Sequence, residues 1–129
     1  MARGRAHVTI TGLARLRDRL EDLPDEIKQA LVKGVRESAE AVRDDVERTV
    51  PVDTSGRDSH HLKDTVDIRY REDDLVADVG WFNQEDYYAF FVERGTRSRP
   101  AQPSLHPALE RERGRYQARL TDEVRRALR

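Results

Sequence analysis

PDEIKQALVKGVRESAEAVRDDVERTVP, residues 24 to 51, reads as one long helix with both of its ends marked. Pro24 suits a helix start, because its missing N–H is one of the donors that would lack an intrahelical partner anyway. Asp25 and Glu26 put negative charge at the positive end of the helix dipole. Ile27, Leu31, Val35, Ser38, Val42 and Val46 recur every three or four residues, with Ala30, Gly34, Ala39 and Ala41 beside them. That spacing lays an apolar stripe along one side of an α-helix. Pro51 stops the helix and disfavours the helical region for Val50. The predicted helix runs from Pro24 to Thr49, and its stripe needs a partner surface.

The flanking segments supply one. Toward the N-terminus, His7–Thr11 (HVTIT) alternates and is β-branched, which predicts a strand ended by Gly12. Leu13, Leu16, Leu20 and Leu23 then fall at helical spacing and predict a short helix. Toward the C-terminus, residues 51–63 (PVDTSGRDSHHLK) are polar and turn-forming and read as a loop. Two strands are expected next, Thr65–Arg71 and Leu75–Trp81, joined by a hairpin turn at Glu72-Asp73-Asp74. Val66, Ile68 and Tyr70 alternate in the first; Leu75, Ala77 and Val79 alternate in the second. After a loop at 82–86, DYYAFFVERG predicts a short aromatic helix closed by Gly95. Residues 96–104 read as extended and proline-marked. A final helix starts at about Ser104 or Pro107 and runs to Leu128, with Leu105, Leu109, Tyr116, Leu120, Val124 and Leu128 on one stripe. The expected fold is α+β: a small antiparallel β-sheet packed with two long amphipathic helices, one central and one C-terminal, and a short aromatic helix. With no repeat and no linker, residues 1–129 read as a single domain, with a polar loop at about 53–64 and a proline-marked arm at about 96–107.

Composition narrows the function classes. Apolar residues make up 36 % of the chain and charged residues 38 %, which leaves little core under much charged surface. Such a subunit is expected to finish burying itself against partners. The net charge is −1, from 24 basic and 25 acidic residues. A dedicated nucleic-acid binder carries a basic excess, because its affinity comes largely from neutralised phosphates. There are no cysteines, which excludes disulfide, zinc-thiolate and thiol chemistry. No apolar run approaches the roughly 20 residues that span a bilayer, so no membrane partner is expected, and the start of the chain lacks a signal core.

The candidate chemistry is thin. Asp53, Asp58, His60, His61 and Asp64 share one loop and contain residue types that bind divalent cations. They match no known ligand spacing, and neighbouring His60 and His61 point apart; the plain reading is a polar turn. Ser55, Ser59, His60 and Asp58 lack a nucleophile elbow. Gly80, Gly95 and Gly114 are isolated, so no phosphate loop is present. Glu93 lacks a partner carboxylate for acid–base work and reads as a residue that pairs with Arg or caps backbone near Gly95. Trp81, Phe82, Tyr87, Tyr88, Phe90 and Phe91 divide between core and interface, since Tyr and Trp bury area while keeping a polar tip. Phe90 and Phe91 cannot face the same side of one helix: one packs inward, and the other is available to a partner. No cofactor and no catalytic residue is expected.

Three ordered motifs then carry a resemblance. They are VPVDTSG at the end of the long helix, YYAFFVERGT (Tyr87–Thr96) and RPAQPSLHPAL (Arg99–Leu109). Together with the Gly-Leu start and its Leu-rich helix, the chain resembles the neck or tail-completion (tail-component, head–tail joining) proteins of long-tailed bacteriophages. Pro51, Asp53, Thr54, Tyr88, Ala89, Val92, Glu93, Gly95, Thr96, Pro100, Pro103, Leu105 and Pro107 match the signature. Ser55 stands where a glycine is usual, Ser104 where an aromatic is common, and GRDSHH (56–61) reads as an insertion.

The resemblance implies a structural, non-enzymatic subunit of the head–tail joining complex. It implies a ring between the portal or connector and the tail tube, in the virion, assembled in the host bacterial cytoplasm. Partners would be other copies of the chain, neighbouring connector, head-closure, tail tube or tail terminator proteins, and double-stranded DNA that passes through the lumen without specific binding. Six copies are expected because such tails are six-fold; the twelve-fold portal end makes twelve the alternative. The expected assembly residues are Asp53, Thr54, Trp81, Tyr87, Tyr88, Phe91, Glu93, Gly95, Thr96, Arg97, Pro100, Pro103, Leu105 and Pro107. Two further readings are a small nucleic-acid-binding module using the Arg clusters and aromatics, and a metal-dependent hydrolase using the 53–64 loop.

Overall fold

The computed structural model describes residues 6–11, 22–52, 61–83 and 86–128. Its elements are β1 (His7–Thr11), α1 (Asp25–Thr49), α2 (Leu62–Thr65), β2 (Asp67–Arg71), β3 (Val76–Gly80), α3 (Ala89–Arg94) and α4 (Leu105–Ala127). The fold is α+β: a three-stranded antiparallel sheet in the order β1-β3-β2, packed with two long helices. The predicted helix over Leu13–Leu23 lies outside the described residues, apart from its last two positions.

The sheet is built around β3. Its Val76, Ala77, Val79 and Gly80 are all buried, as suits a strand paired on both edges and packed against α1. Val8 lies opposite Val79 on one side and Ile68 opposite it on the other; Ala77 faces Ile10 and Tyr70 in the same way. These residues join Val35, Ala39, Val42 and Val46 of α1 in one core. The four α1 side chains are fully shielded from solvent, and each such valine contributes about 1.5–3 kcal/mol of apolar burial. The polar exception in β3 is Asp78. Its carboxylate accepts hydrogen bonds from the Thr9 hydroxyl (2.5 Å) and from Arg71 Nε (2.9 Å). Burial raises its pKa, but those hydrogen bonds outweigh it and hold the carboxyl below its ordinary value.

Helices α1 and α4 pack antiparallel. Asp45, near the end of α1, accepts two hydrogen bonds from Arg111, near the start of α4 (2.6 and 2.9 Å). Midway, the Ser38 hydroxyl donates to Glu112 (2.6 Å), which also takes Arg119 Nε (2.7 Å). Farther along, Lys33 lies 3.3 Å from Glu123. Gly34 is the close approach: a Cβ there would stand 2.6 Å from Leu120 Cδ2 and 3.3 Å from its Cα.

Several expectations are corrected. The loop expected to run to residue 63 gives way to α2, whose single turn is closed by the Val66 N–H on the Leu62 carbonyl (3.1 Å). The strand predicted from Thr65 therefore begins at Asp67. Helix α3 starts at Ala89; residues 86–88 form the turn before it. Leu128 lies just past the end of α4, does not join the stripe and is 71 % exposed, while Glu112 and Glu123 of α4 are buried. Hydropathy spacing misses those two because ion pairs, and not apolarity, take them inside.

Candidate assembly surface

Helix α3 is six residues long, too short to stand without tertiary support. Ala89 and Glu93, one turn apart, point inward and are buried. Tyr87 and Phe91, one turn apart on the other side, are 73 % and 48 % exposed. Phe90 packs on the core beside Tyr88 and Val92. Phe90 and Phe91 thus divide between inside and outside, in edge-to-face contact with each other (5.4 Å). Arg94 lies over the Phe90 ring at 4.9 Å.

Glu93 fixes this helix to the next one. Its carboxylate accepts the backbone N–H groups of Ser104 (2.8 Å), Leu105 (3.0 Å) and His106 (3.1 Å). These are orphan donors at the start of α4, and Ser104 supplies no side-chain cap of its own. The carboxylate also sits at the positive end of the α4 dipole. Glu93 is therefore a backbone cap, as its sequence context suggested, but of α4 and not of the Gly95 turn.

Between the two helices the chain makes a fixed hook. Gly95 has φ 80° and ψ 170°, and a Cβ there would stand 2.7 Å from the Ala101 nitrogen, so a glycine is required twice over. The Thr96 N–H donates to the Arg99 carbonyl (2.9 Å), the Arg99 N–H returns to Thr96 Oγ1 (3.2 Å), and the Gln102 N–H reaches back to the Val92 carbonyl (2.8 Å). Residues 97–99 bend, so the segment expected as extended is folded back on α3. Arg97, Arg99, Pro100 and Pro103 are exposed on it. Pro107 lies in the first turn of α4, and Leu105 is core.

The other expected site residues separate. Trp81 is buried, and its indole N–H donates to the Leu62 carbonyl (2.9 Å), which makes it core in the isolated subunit. Asp53, Thr54, Ser55, Asp58, Ser59 and His60 lie outside the described residues. Among the described residues no group of three His, Asp or Glu is placed to hold a metal ion. A cleft of about 130 Å³ opens between Ala6–Val8, Phe90, Arg94 and His106. Small-molecule pockets run to roughly 300–1,000 Å³, and the carboxylate that lines this cleft, Glu93, is committed to backbone. Among the described residues no helix is long and apolar enough to cross a membrane. The surface around α3 offers aromatic area and positive charge on a rigid mount, which suits contact with a macromolecule.

Sequence reasoning did not find the Ser38–Glu112–Arg119 and Asp45–Arg111 contacts. The one visible signal was Ser38, a polar residue on an otherwise apolar stripe.

Comparison with curated proteins finds no match, and comparison with solved structures finds none. A family model does match, over residues 14–95, a span that takes in the first motif, the second as far as Gly95, α1, the β2–β3 hairpin and α3. On that match the chain belongs to the bacteriophage family described as "HK97-gp10, putative tail-component".

Proposed function

We propose that this phage tail component is a structural subunit of the head–tail joining (neck or tail-completion) complex, without catalytic activity. It forms a ring between the connector and the tail tube, and DNA passes through the ring. The observation that carries the reading is the surface around α3: Phe91 on the helix and Tyr87 on the turn that leads into it stand exposed on a segment held in place by Glu93, Gly95 and the hook. Exposed aromatics on a mount that is already ordered lose little entropy when a partner covers them. A monomer gains nothing from such an arrangement. The near-balanced charge of the chain fits a lumen that lets DNA slide, since a strongly basic wall would hold it.

The test is solution mass by light scattering across a concentration series, alone and with the neighbouring connector and tail tube proteins. A closed ring of about six or twelve copies is expected, and Tyr87→Ser/Phe91→Ser is expected to disperse it. A protein that stays monomeric at every concentration and joins neither neighbour would overturn the reading.

A further inference from the structure

The two ends of the sheet carry opposite charge. At one end β2 turns into β3 through Glu72, Asp73 and Asp74, all exposed. These three residues stand in the left-handed region, at φ 53°, 58° and 65°. That region is unfavourable for a residue with a side chain, although aspartate tolerates it better than most. The turn is held by the Leu75 N–H on the Glu72 carbonyl (3.2 Å) and by burial of Leu75 itself. The first turn of α1 lies at the same end, because Leu23 and Ile27 pack on Leu31, Leu75 and Val76. It adds exposed Asp25 and Glu26. Lys28 and Arg125 offset part of this charge, and Arg71 is committed to Asp78 and Glu72.

The opposite end is basic and aromatic. His7, Gly80 and Asp67 mark it in the strand register, with exposed Asp67 offsetting part of its positive charge, and the cleft beside His7 joins it to Arg94 and His106. The hook follows, with exposed Arg97 and Arg99 that have no acidic partner among the described residues, next to exposed Tyr87 and Phe91. Helix α4 spans the distance between the ends: His106 lies at the hook, and Val124 packs near the hairpin. At 1.5 Å per residue its 23 residues cover about 35 Å.

A ring built from one kind of subunit needs two different surfaces that fit each other. We infer that the hook end of one copy seats on the hairpin end of the next. Tyr87 and Phe91 supply the apolar area, and Arg97 and Arg99 face Asp73 and Asp74. Aromatic residues and arginine are the types enriched at such interfaces, and the charge pairing sets orientation and register. The strained turn holds its carboxylates in place for this contact. The inference rests on the ring reading and names the surfaces that would close the ring.

The test uses opposite charge reversals. Arg97→Glu/Arg99→Glu makes both ends of the subunit acidic; Asp73→Lys/Asp74→Lys makes both ends basic. Each variant alone is expected to self-associate at least about tenfold more weakly than the wild type. An equimolar mixture is expected to restore the wild-type mass, because alternating copies again present unlike ends. Lysine in left-handed backbone threatens the turn itself, so Asp73→Asn/Asp74→Asn serves as a second variant: it keeps a tolerated residue, removes the charge and should also weaken association. Buried Trp81 reports by fluorescence that each variant is folded.

If the wild type forms its ring and either reversal leaves that ring intact, or the mixture fails to restore it, the contact is wrong while the ring reading stands. The chain has no cysteine, so Asp73→Cys mixed with Arg97→Cys offers an independent readout at high concentration. A cross-linked dimer in the mixture, and in neither variant alone, supports the contact. Its absence overturns the contact. A wild type that is monomeric and also joins no neighbour removes the ring reading with it.

Discussion

Glu93 does for α4 what a serine or aspartate at the N-cap does for an ordinary helix, but it reaches there from another element. Three backbone N–H groups converge on one buried carboxylate. Glu93→Gln keeps the size and replaces one oxygen with an NH2 group, which would face a donor. We expect a loss of about 2 kcal/mol, the cost of hydrogen bonds to a charged group together with a donor left unpaired. Chemical denaturation measures it; a change below about 0.5 kcal/mol would mean that α4 does not depend on this cap. Gly95 is the second fixed point. Gly95→Ala combines φ 80° with a Cβ 2.7 Å from the Ala101 nitrogen, and should cost about 2 kcal/mol or more; unchanged thermal unfolding would contradict that. A backbone cap was legible at Glu93 because the residue sits beside a helix-ending glycine. Its true target was not, because the first N–H it holds is 11 residues on, and a contact made through tertiary folding leaves no periodic trace.

At the scale of elements, α1 and α4 were legible because a three-or-four spacing persists through them, and the hairpin was legible because alternation switches on at Val66. Helix α2 was not: four residues carry no period, and its turn exists because Leu62 is drawn into the core. The buried acids of α4 were hidden for a related reason, since Ser38, Lys33 and Arg119 admit them from across the helix pair or along the helix. Two glycines separate packing from propensity. Gly34 is needed because Leu120 presses on it, whereas a Cβ on Gly114 meets nothing within 4 Å. Gly114→Ala should therefore stabilise the subunit by about 0.5–1 kcal/mol, read as a raised denaturation midpoint. Asp45 gives the pH prediction. Hydrogen bonding from Arg111 holds its pKa below the ordinary value, against the opposing effect of burial. The unfolded chain then takes up the proton first as pH falls, so the contribution of Asp45 is complete above its unfolded value of about 3.9 and disappears as pH drops through the folded one. The stability gap between the wild type and Asp45→Asn should be full at about pH 7 and close below about pH 4. A gap that stays constant with pH would show that the carboxylate charge is irrelevant to the helix pair.

At the scale of the whole molecule, the total charge of −1 conceals an uneven distribution. The sequence shows the acidic run Glu72–Asp74 and the basic residues Arg94, Arg97 and Arg99, but only the fold, through the strand register and the cleft that joins His7 to Arg94, puts them at opposite ends. Folding and association should therefore respond differently to salt. The main core cluster is apolar, and the Ser38–Glu112 contact is buried, where screening is weak. The charges at the two ends are exposed, and screening shortens their reach from about 10 Å at 0.1 M salt to about 3 Å at 1 M. Over that range the unfolding transition followed through Trp81, the one tryptophan of the chain and a core residue, should stay nearly fixed. Self-association, read by light scattering in the same samples, should weaken, while the apolar contribution of Tyr87 and Phe91 resists and leaves a residual affinity. Association that strengthens steadily with salt would assign the contact to the aromatic surface alone. Association and unfolding that shift together would mean that the subunit is stable only within its assembly.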